Sequence, residues 1–228
     1  MKTSAVICVY NEEKTIKEVV SMVCDYFFDE VIVVNDGSTD RTDEIIRGIT
    51  HLHNLKYISF PENKGKGFAM ATGVENAKNE IIVFIDADLS NLRDEHFSQL
   101  IMPLYKNEAD MVLGQATETL IHYDLNPFKS FTGERALFKK DIMPIVGKMK
   151  HSRFGVETLI NLYYQSEGKT VMYVMLSGLK HPTKFDKTSP HMAVKEFVKE
   201  GHQIAITVFK NFDLITESFK NTVSKNLK

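Results

Sequence analysis

The sequence predicts an α/β fold with a mostly parallel central sheet flanked by helices. Short β-branched runs alternate with amphipathic helix patterns over roughly the first 90 residues, as in a doubly wound sheet. In addition, Ile81–Ile85 is a run of apolar residues that is short for a helix and rich in β-branched types. Such a run is typical of a strand buried on both faces, at the centre of a parallel sheet.

The predicted elements follow in order along the chain. The predicted strands are Ala5–Val9, Val31–Val34, Leu55–Phe60, Ile81–Ile85, Met111–Leu113 and Thr170–Leu176. The predicted helices are Thr15–Tyr26, a helix after Asp40 that contains Ile45 and Ile46, Phe68–Ala77, Leu92–Lys106, Lys139–Val146, Val156–Gln165 and an amphipathic stretch over Met192–Phe219. Gln115–Ser130 and Ser177–Ser189 are predicted loops, the first of them over the site. We expect one domain over residues 1–190, with halves 1–115 and 116–190, and a helical extension over 191–228.

Composition narrows the class of protein. The chain has 228 residues, of which 43% are hydrophobic and 25% charged, as in an ordinary soluble domain. A net charge of −2 gives no indication of nucleic-acid binding. Cys8 and Cys24 lie in apolar segments without metal-ligand spacing, which is typical of reduced cysteines. We expect no signal peptide, no membrane span and a cytoplasmic location.

Polar loops follow three of the predicted strands: Tyr10–Glu12, Asn35–Asp40 and Asp86–Asp88. Because ligands of open α/β sheets bind outside the carboxyl ends of the strands, these loops are expected to form one pocket. Asp86 and Asp88 would repel each other unless a cation compensated them, and carboxylate oxygens suit Mg²⁺ or Mn²⁺. The alternative is that the two acids only begin a turn or cap a helix.

The sequence does not contain the common glycine-rich motifs of nucleotide-binding proteins or of serine hydrolases. The pair Gly65 and Gly67 follows the third strand, and Met70 stands where a dinucleotide fingerprint needs glycine. The sequence has no phosphate-binding loop of the G-x-x-x-x-G-K-[ST] type and no G-x-S-x-G nucleophile motif.

Four segments in order resemble the nucleotide-sugar half of family 2 glycosyltransferases with the GT-A fold: V-I-C-V-Y-N-E-E, V-V-N-D-G-S-T-D, N-K-G-K-G-F-A and F-I-D-A-D. The resemblance covers about the first 115 residues. It implies that Val9, Tyr10, Glu12 and Asp36 hold the base and ribose of a nucleoside-diphosphate sugar.

The same resemblance assigns the D-x-D segment to the ribose and the metal. Asp86 and Ala87 are implied to contact the nucleotide, and Asp88, with Asp86, to hold Mn²⁺ or Mg²⁺ on the diphosphate. Lys66 and Gly67 are implied to contact the nucleotide. For Lys66 the alternative is a solvated loop lysine.

The second half resembles two relatives, the polyprenyl-phosphate sugar transferases and the glucosyl-3-phosphoglycerate synthase type, at F-T-G-E-R-A and F-G-V-E. Arg135 is implied to hold an acceptor phosphate, or else to be a surface arginine on a helix. Glu157 is implied to act as general base, or as a positioning residue if the acceptor is already a phosphate. His181 is implied to be a further metal ligand, against the alternative of a structural or exposed histidine.

The function implied is metal-dependent transfer of a sugar from a nucleoside-diphosphate sugar, with UDP as the favoured nucleotide. The resemblance also implies inversion at the anomeric carbon and a role in cell-envelope synthesis. The implied acceptor is a polyprenyl phosphate or a glycan hydroxyl. Alternatives are retaining transfer to a small phosphorylated acid, and a non-catalytic nucleotide-sugar binding subunit. The tail helix is expected to pack on its own core, on a second copy or, peripherally, on the inner face of the membrane.

Overall fold

The computed structural model describes residues 1–26, 28–52, 54–116, 133–180 and 190–226. The strands are β1 Thr3–Val9, β2 Glu30–Asn35, β3 Leu55–Ser59, β4 Ile81–Asp86, β5 Met111–Ala116, β6 Arg135–Phe138 and β7 Val171–Leu176. The helices are α1 Ile16–Asp25, α2 Thr42–Gly48, α3 Lys66–Asn76, α4 Asp94–Tyr105, α5 Lys139–Ile142, α6 Val146–Met149, α7 Val156–Ser166, α8 Pro190–Lys210 and α9 Phe212–Asn226. Short 3₁₀ turns cover Met143–Ile145 and Arg153–Gly155.

These strands form one sheet in the order β3-β2-β1-β4-β6-β5-β7. All neighbouring pairs are parallel except β4 with β6 and β5 with β6, because β6 runs in the opposite direction. The register pairs Cys8 with Asp86 and Val9 with Asn35, so the carboxyl ends of β1, β2 and β4 lie side by side. The mostly parallel sheet that the sequence predicts is confirmed.

Each face of the sheet buries its own apolar core. One core packs α1 and α4 on the sheet, with Val20 and Phe97 fully buried. The other packs α3 and α7 on the opposite face, with Val74 and Ile160 fully buried. Burial on both faces explains why the strand sequences are continuous apolar runs rather than alternating ones.

Two predicted helices differ from the structure. The stretch predicted as one helix over Lys139–Val146 consists of α5, a 3₁₀ turn and α6. Pro144 lies in that turn, and proline disrupts an α-helix because it lacks the N–H donor. The amphipathic tail is two helices rather than one, divided at Asn211, with Asn221 of the second donating to the Ser166 carbonyl at 2.5 Å.

The tail helices pack against α7 and the Arg153–Gly155 turn. Within the described residues, no helix combines the length and the hydropathy needed to cross a bilayer. The division into 1–190 and 191–228 stays a prediction. Most of the predicted loop Gln115–Ser130 lies outside the described residues, although Gln115 itself still belongs to β5.

Candidate functional site

The loops after β1 and β2 are joined by hydrogen bonds. The Asn11 N–H donates to Ser38 Oγ at 3.0 Å, and the Thr39 N–H donates to Asn11 Oδ1 at 2.7 Å. Asn11 has a φ of 55°, a left-handed conformation that asparagine tolerates better than most residues. The Glu12 N–H donates to Thr42 Oγ1 at 2.9 Å, which connects the same loop to the start of α2. These contacts hold the first two polar loops as one wall of the site.

Asp36 fixes the glycine-rich loop before α3. Asp36 is 4% exposed, and its two carboxylate oxygens accept hydrogen bonds from the N–H groups of Lys64 at 2.7 Å and of Gly65 at 2.8 Å. Burial raises the pKa of Asp36, and these two hydrogen bonds oppose the rise. Gly65 has a φ of 100°, which a residue with a side chain rarely adopts, so the loop needs glycine here.

Lys66 joins the two halves of the protein through a pair of ionic contacts. Its Nζ lies 2.9 Å from Asp86 Oδ1 and 2.8 Å from Glu157 Oε1. The three side chains are 25%, 23% and 13% exposed, so the cluster opens only partly to solvent. Burial alone would lower the pKa of Lys66, but the two carboxylates outweigh it and raise that pKa well above its usual value. Glu157 lies in the first turn of α7, where an acid also interacts favourably with the helix dipole.

The turn that carries Asp88 is anchored on both sides. Thr15 Oγ1 donates to the Ala87 carbonyl at 2.8 Å, and Ala87 itself is buried. Ser90 and Lys180 form an antiparallel bridge, each donating its N–H to the other's carbonyl at 3.1 Å. Asp88, half-buried between these anchors, is therefore presented by a turn whose backbone is tied to two other segments.

Gly133 and Arg135 complete the inner side of the site. Gly133 lies directly against the Asp86 carboxylate, and any side chain there would overlap its oxygens. Arg135 is 0% exposed in β6, and its Nη1 donates to Asn161 Oδ1 at 3.2 Å. Burial lowers the pKa of Arg135, and the carboxylates of Glu157 and Asp86 oppose this.

The alternative of a surface arginine on a helix is wrong, since Arg135 lies on a strand and is fully buried. The guanidinium of Arg135 is therefore not exposed where it could bind an acceptor phosphate directly from solvent. The reason is the antiparallel strand β6, which carries Arg135 into the interior, where it donates to Asn161 and is influenced by the charges of Asp86 and Glu157. Its role toward an acceptor phosphate stays a prediction.

The other predicted residues lie as follows. Val9 is buried at the end of β1, where its carbonyl accepts the Asp36 N–H at 2.9 Å. Tyr10 is 44% exposed, and Glu12 is half-buried. Gly67 is buried where a side chain would overlap the Met149 carbonyl, so the observed reason for this glycine is close packing. The contacts of these residues with nucleotide stay predictions.

Three supporting residues were missed by sequence reasoning: Thr15, Asn161 and Arg153. Thr15 and Asn161 act on Ala87 and Arg135, respectively, over 72 and 26 residues of chain, so no local pattern marks them. Arg153 lies against Gly65, and its charge opposes the rise in the pKa of Asp36 that burial causes. Its φ of 49° is the one unusual feature, and this is visible only in the structure.

Few of the described side chains are candidate metal ligands. Among the described residues, no three histidine, cysteine, aspartate or glutamate side chains are grouped to hold a metal ion by themselves. His181, the third predicted ligand, lies outside the described residues. The other two predicted ligands, Asp86 and Asp88, lie at the carboxyl edge of the sheet. Asp86 also forms an ion pair with Lys66.

Comparison with known proteins identifies the family. The model of glycosyl transferase family 2 matches residues 4–167. The chain belongs to glycosyl transferase family 2. The match covers both halves of the site, from β1 to the end of α7. The prediction of a family 2 glycosyltransferase with the GT-A fold is therefore confirmed.

Curated relatives match shorter stretches. Poly-beta-1,6-N-acetyl-D-glucosamine synthase of Staphylococcus epidermidis is 36% identical over 87 residues, which cover 37% of this chain and 21% of the synthase. Dolichyl-phosphate beta-glucosyltransferase ALG5C of Trichomonas vaginalis is 35% identical over 104 residues, covering 41% of this chain and 31% of that protein. These alignments thus span only about a fifth to a third of those relatives.

Solved structures show the same fold. Glucosyl-3-phosphoglycerate synthase of Mycobacterium tuberculosis, in complex with Mn²⁺, UDP and phosphoglyceric acid, superposes with a TM-score of 0.71. It is 21% identical, over 92% of this chain and 78% of that chain. The same synthase with Mn²⁺, UDP-glucose and glycerol 3-phosphate gives a TM-score of 0.70 at 21% identity, over 92% of this chain and 79% of that one.

Proposed function

We propose that this member of the family transfers a sugar from a nucleoside-diphosphate sugar, with UDP as the favoured nucleotide, in the presence of Mn²⁺ or Mg²⁺. The observation that carries the proposal is the cluster of Asp86, Lys66 and Glu157 beside Asp88, at the edge where the loops after β1, β2 and β4 meet. Support from outside the chain comes from the mycobacterial synthase, whose complexes contain UDP with Mn²⁺ or Mg²⁺.

The residues at this edge fit a divalent ion shared with a diphosphate. Mg²⁺ is commonly held by one or two carboxylates together with substrate phosphates, and Mn²⁺ accepts the same oxygen ligands. Asp86 and Asp88 would supply the carboxylates, and the donor would supply the phosphate oxygens. When bound, the ion would offset negative charge on the departing diphosphate. His181 stays a predicted third ligand.

Several groups of the protein are already positioned for the donor before it binds. Asp36 holds the glycine-rich loop by two N–H groups, so the start of α3 is positioned before any ligand arrives. Lys66 is held by two carboxylates at the point where the sugar and diphosphate are expected. A preorganised cation there stabilises developing negative charge without having to reorient during the reaction.

The hydrogen bond that Glu157 accepts from Lys66 helps to indicate which kind of acceptor the enzyme uses. Glu157 Oε1 accepts this hydrogen bond, so one of its two oxygens already positions Lys66 and only the other could act as a base toward an acceptor hydroxyl. An acceptor that arrives already ionised, such as a polyprenyl phosphate, needs no such base. We therefore propose transfer with inversion to a polyprenyl phosphate, with a glycan hydroxyl as the second choice. The relative in Trichomonas vaginalis is named for a dolichyl-phosphate acceptor, which favours the same choice.

A second candidate is retaining transfer to a small phosphorylated acid. The same contact between Lys66 and Glu157 is compatible with it, because in retaining transfer the acceptor attacks from the side of the leaving diphosphate, and an oxygen of that diphosphate takes the acceptor proton. NMR of the anomeric configuration of the product distinguishes the two candidates, since inversion and retention give opposite anomers.

The direct test is thermal unfolding with UDP-, GDP- and dTDP-sugars, each with Mn²⁺ or with a chelator. A ligand present at about a hundred times its dissociation constant stabilises the folded state by ~2.7 kcal/mol. We expect this shift with a UDP-sugar and Mn²⁺, and a much smaller shift when the metal is chelated. Stabilisation by none of the three donors would contradict the proposal, and binding without transfer or hydrolysis over a broad acceptor panel would support a non-catalytic subunit instead.

A further inference from the structure

The tail helix α8 packs on the protein with one face only. Gln203 Oε1 accepts the Phe154 N–H at 3.2 Å, and Thr207 packs so closely on Gly155 that any side chain on this glycine would overlap it. Asn211, one further turn along, is also buried at 8% exposure. These positions, spaced by four residues, define the inner face of the helix.

The opposite face carries large apolar side chains in solvent. Val198 is 68% exposed, Phe209 is 83% exposed, and Phe212 at the start of α9 is 62% exposed. Val198, Ala205 and Phe209 are spaced by seven and four residues, so they lie along one line on the outer face. We name Val198, Ala205, Phe209 and Phe212 the outer stripe. Side chains of this kind are usually buried, so a line of them in solvent indicates a binding surface.

A basic cleft of about 740 Å³ adjoins the outer stripe. It lies between α8 and the segment before α7, and its charged lining residues are Lys148, Arg153, Lys210 and Asp213, with His151 and His202 beside them. Asp213 is the one acid in this lining, and it lies 4.0 Å from Lys148. His202 and Lys210 stand on the flank of α8 that connects the cleft to the stripe.

We propose that the outer stripe and the basic cleft dock this protein on an anionic phospholipid surface. An exposed apolar stripe with cations on its flank is the pattern of a helix that lies in the membrane interface. The phenylalanine rings enter the acyl boundary, and the lysines and Arg153 contact headgroup phosphates. Because Arg153 also lies against Gly65, docking brings the glycine-rich loop of the site close to the membrane.

A second copy of the chain fits this surface less well. A stable protein interface buries roughly 800 Å² on each partner. A whole phenylalanine side chain offers about 200 Å², so the two rings of the outer stripe present on the order of 300 Å² and would leave most of such an interface to the charged cleft. In addition, self-association would bring two basic clefts toward each other. Docking on a bilayer needs no protein interface of this size and brings no second basic cleft near the first. The anionic headgroups of the bilayer also complement the cations of the cleft.

The test is co-sedimentation of the full chain with vesicles, without any sugar donor. We expect binding to vesicles of phosphatidylglycerol mixed with phosphatidylcholine, little binding to phosphatidylcholine alone, and loss of binding with rising salt. The double variant F209S/F212S should reduce the partition coefficient at least about tenfold, because both rings leave the acyl boundary. Lys210→Glu should reduce it about fivefold or more, through the charge alone.

The matched control is Met102→Ser, which removes an exposed apolar side chain from α4, at 45% exposure, and should bind as the wild type does. Neither phenylalanine belongs to the described core, so the double variant should unfold at the same temperature as the wild type. Three outcomes would overturn the proposal: no binding to anionic vesicles, equal binding by F209S/F212S, or a dimer in vesicle-free solution that this double variant converts to a monomer.

Discussion

The two halves of the chain build the site in different ways. Residues 1–116 contribute loops that directly follow parallel strands, and these loops are connected by backbone hydrogen bonds such as those to Asp36. Residues 133–180 contribute single side chains, Arg135 and Glu157, that reach the same edge from an antiparallel strand and a helix start. A site built from successive loops can be predicted from local sequence patterns, whereas a site assembled from single residues far apart in the chain cannot.

The strongest test of the first half is Asp88→Ala. Removing a carboxylate proposed to hold the metal should reduce kcat/KM about a thousandfold, or ~4 kcal/mol in transition-state stabilisation. Steady-state transfer kinetics with Mn²⁺ measure this, and circular dichroism checks that the fold persists. Asp94→Ala removes an exposed acid at the start of α4 and serves as the control, with activity expected to stay unchanged. Full activity of Asp88→Ala in the presence of a chelator would exclude the metal from the reaction.

The strongest test of the second half is Arg135→Met. Taking one cation away from a buried group of charges should lower the free energy of unfolding by about 3 kcal/mol, because Asp86 and Glu157 then lose a compensating charge. Urea denaturation measures this. The control Arg41→Met removes an arginine that is 71% exposed and should cost under about 1 kcal/mol. Unchanged stability combined with weakened acceptor binding would instead support the phosphate-holding role.

The variant Glu157→Gln distinguishes a base from a positioning residue. It keeps the shape of the side chain but removes the ion pair with Lys66, so we expect kcat/KM to fall about thirtyfold, or ~2 kcal/mol. The pH profile of the remaining activity should keep its shape if Glu157 only positions Lys66. A loss beyond about a hundredfold, with disappearance of the acidic limb, would assign Glu157 as the base. Glu167→Gln, at the exposed far end of α7, is the control.

The smallest predicted effect concerns the contribution of Asp43, in α2, to the stability of the first half. Hydrogen bonds from Arg47, at 2.7 Å, and from Tyr57 lower the pKa of Asp43 from 3.8 to about 2. A lowered pKa in the folded state means that Asp43 stabilises the fold above pH 3.8 and loses this contribution as the pH falls toward 2. Because Arg47 is 62% and Asp43 35% exposed, the contribution is about 1 kcal/mol or less. Urea denaturation should show wild type and Asp43→Asn differing at neutral pH and converging near pH 2; a constant difference would contradict this origin.

Much of the site could be predicted because its first half is local. The sheet, the three polar loops and the pair Asp86 and Asp88 follow from runs of apolar residues that end in polar turns. Pro144 indicates the break in the sequence, but the apolar pattern around it favours a continuous helix. The sequence leaves a surface position open for Arg135, because its segment is short and the antiparallel direction of β6 gives no local signal.

The sequence by itself determined the fold class, the family and the acidic edge, because each depends on residues that are neighbours in the chain or repeat at the period of a strand or helix. The tertiary structure decided that Lys66 bridges Asp86 to Glu157, that Arg135 is buried, and that α8 leaves Phe209 in solvent. These contacts join residues up to 91 positions apart. Such pairs come together only through packing, because charge and burial depend on neighbours in space rather than along the chain.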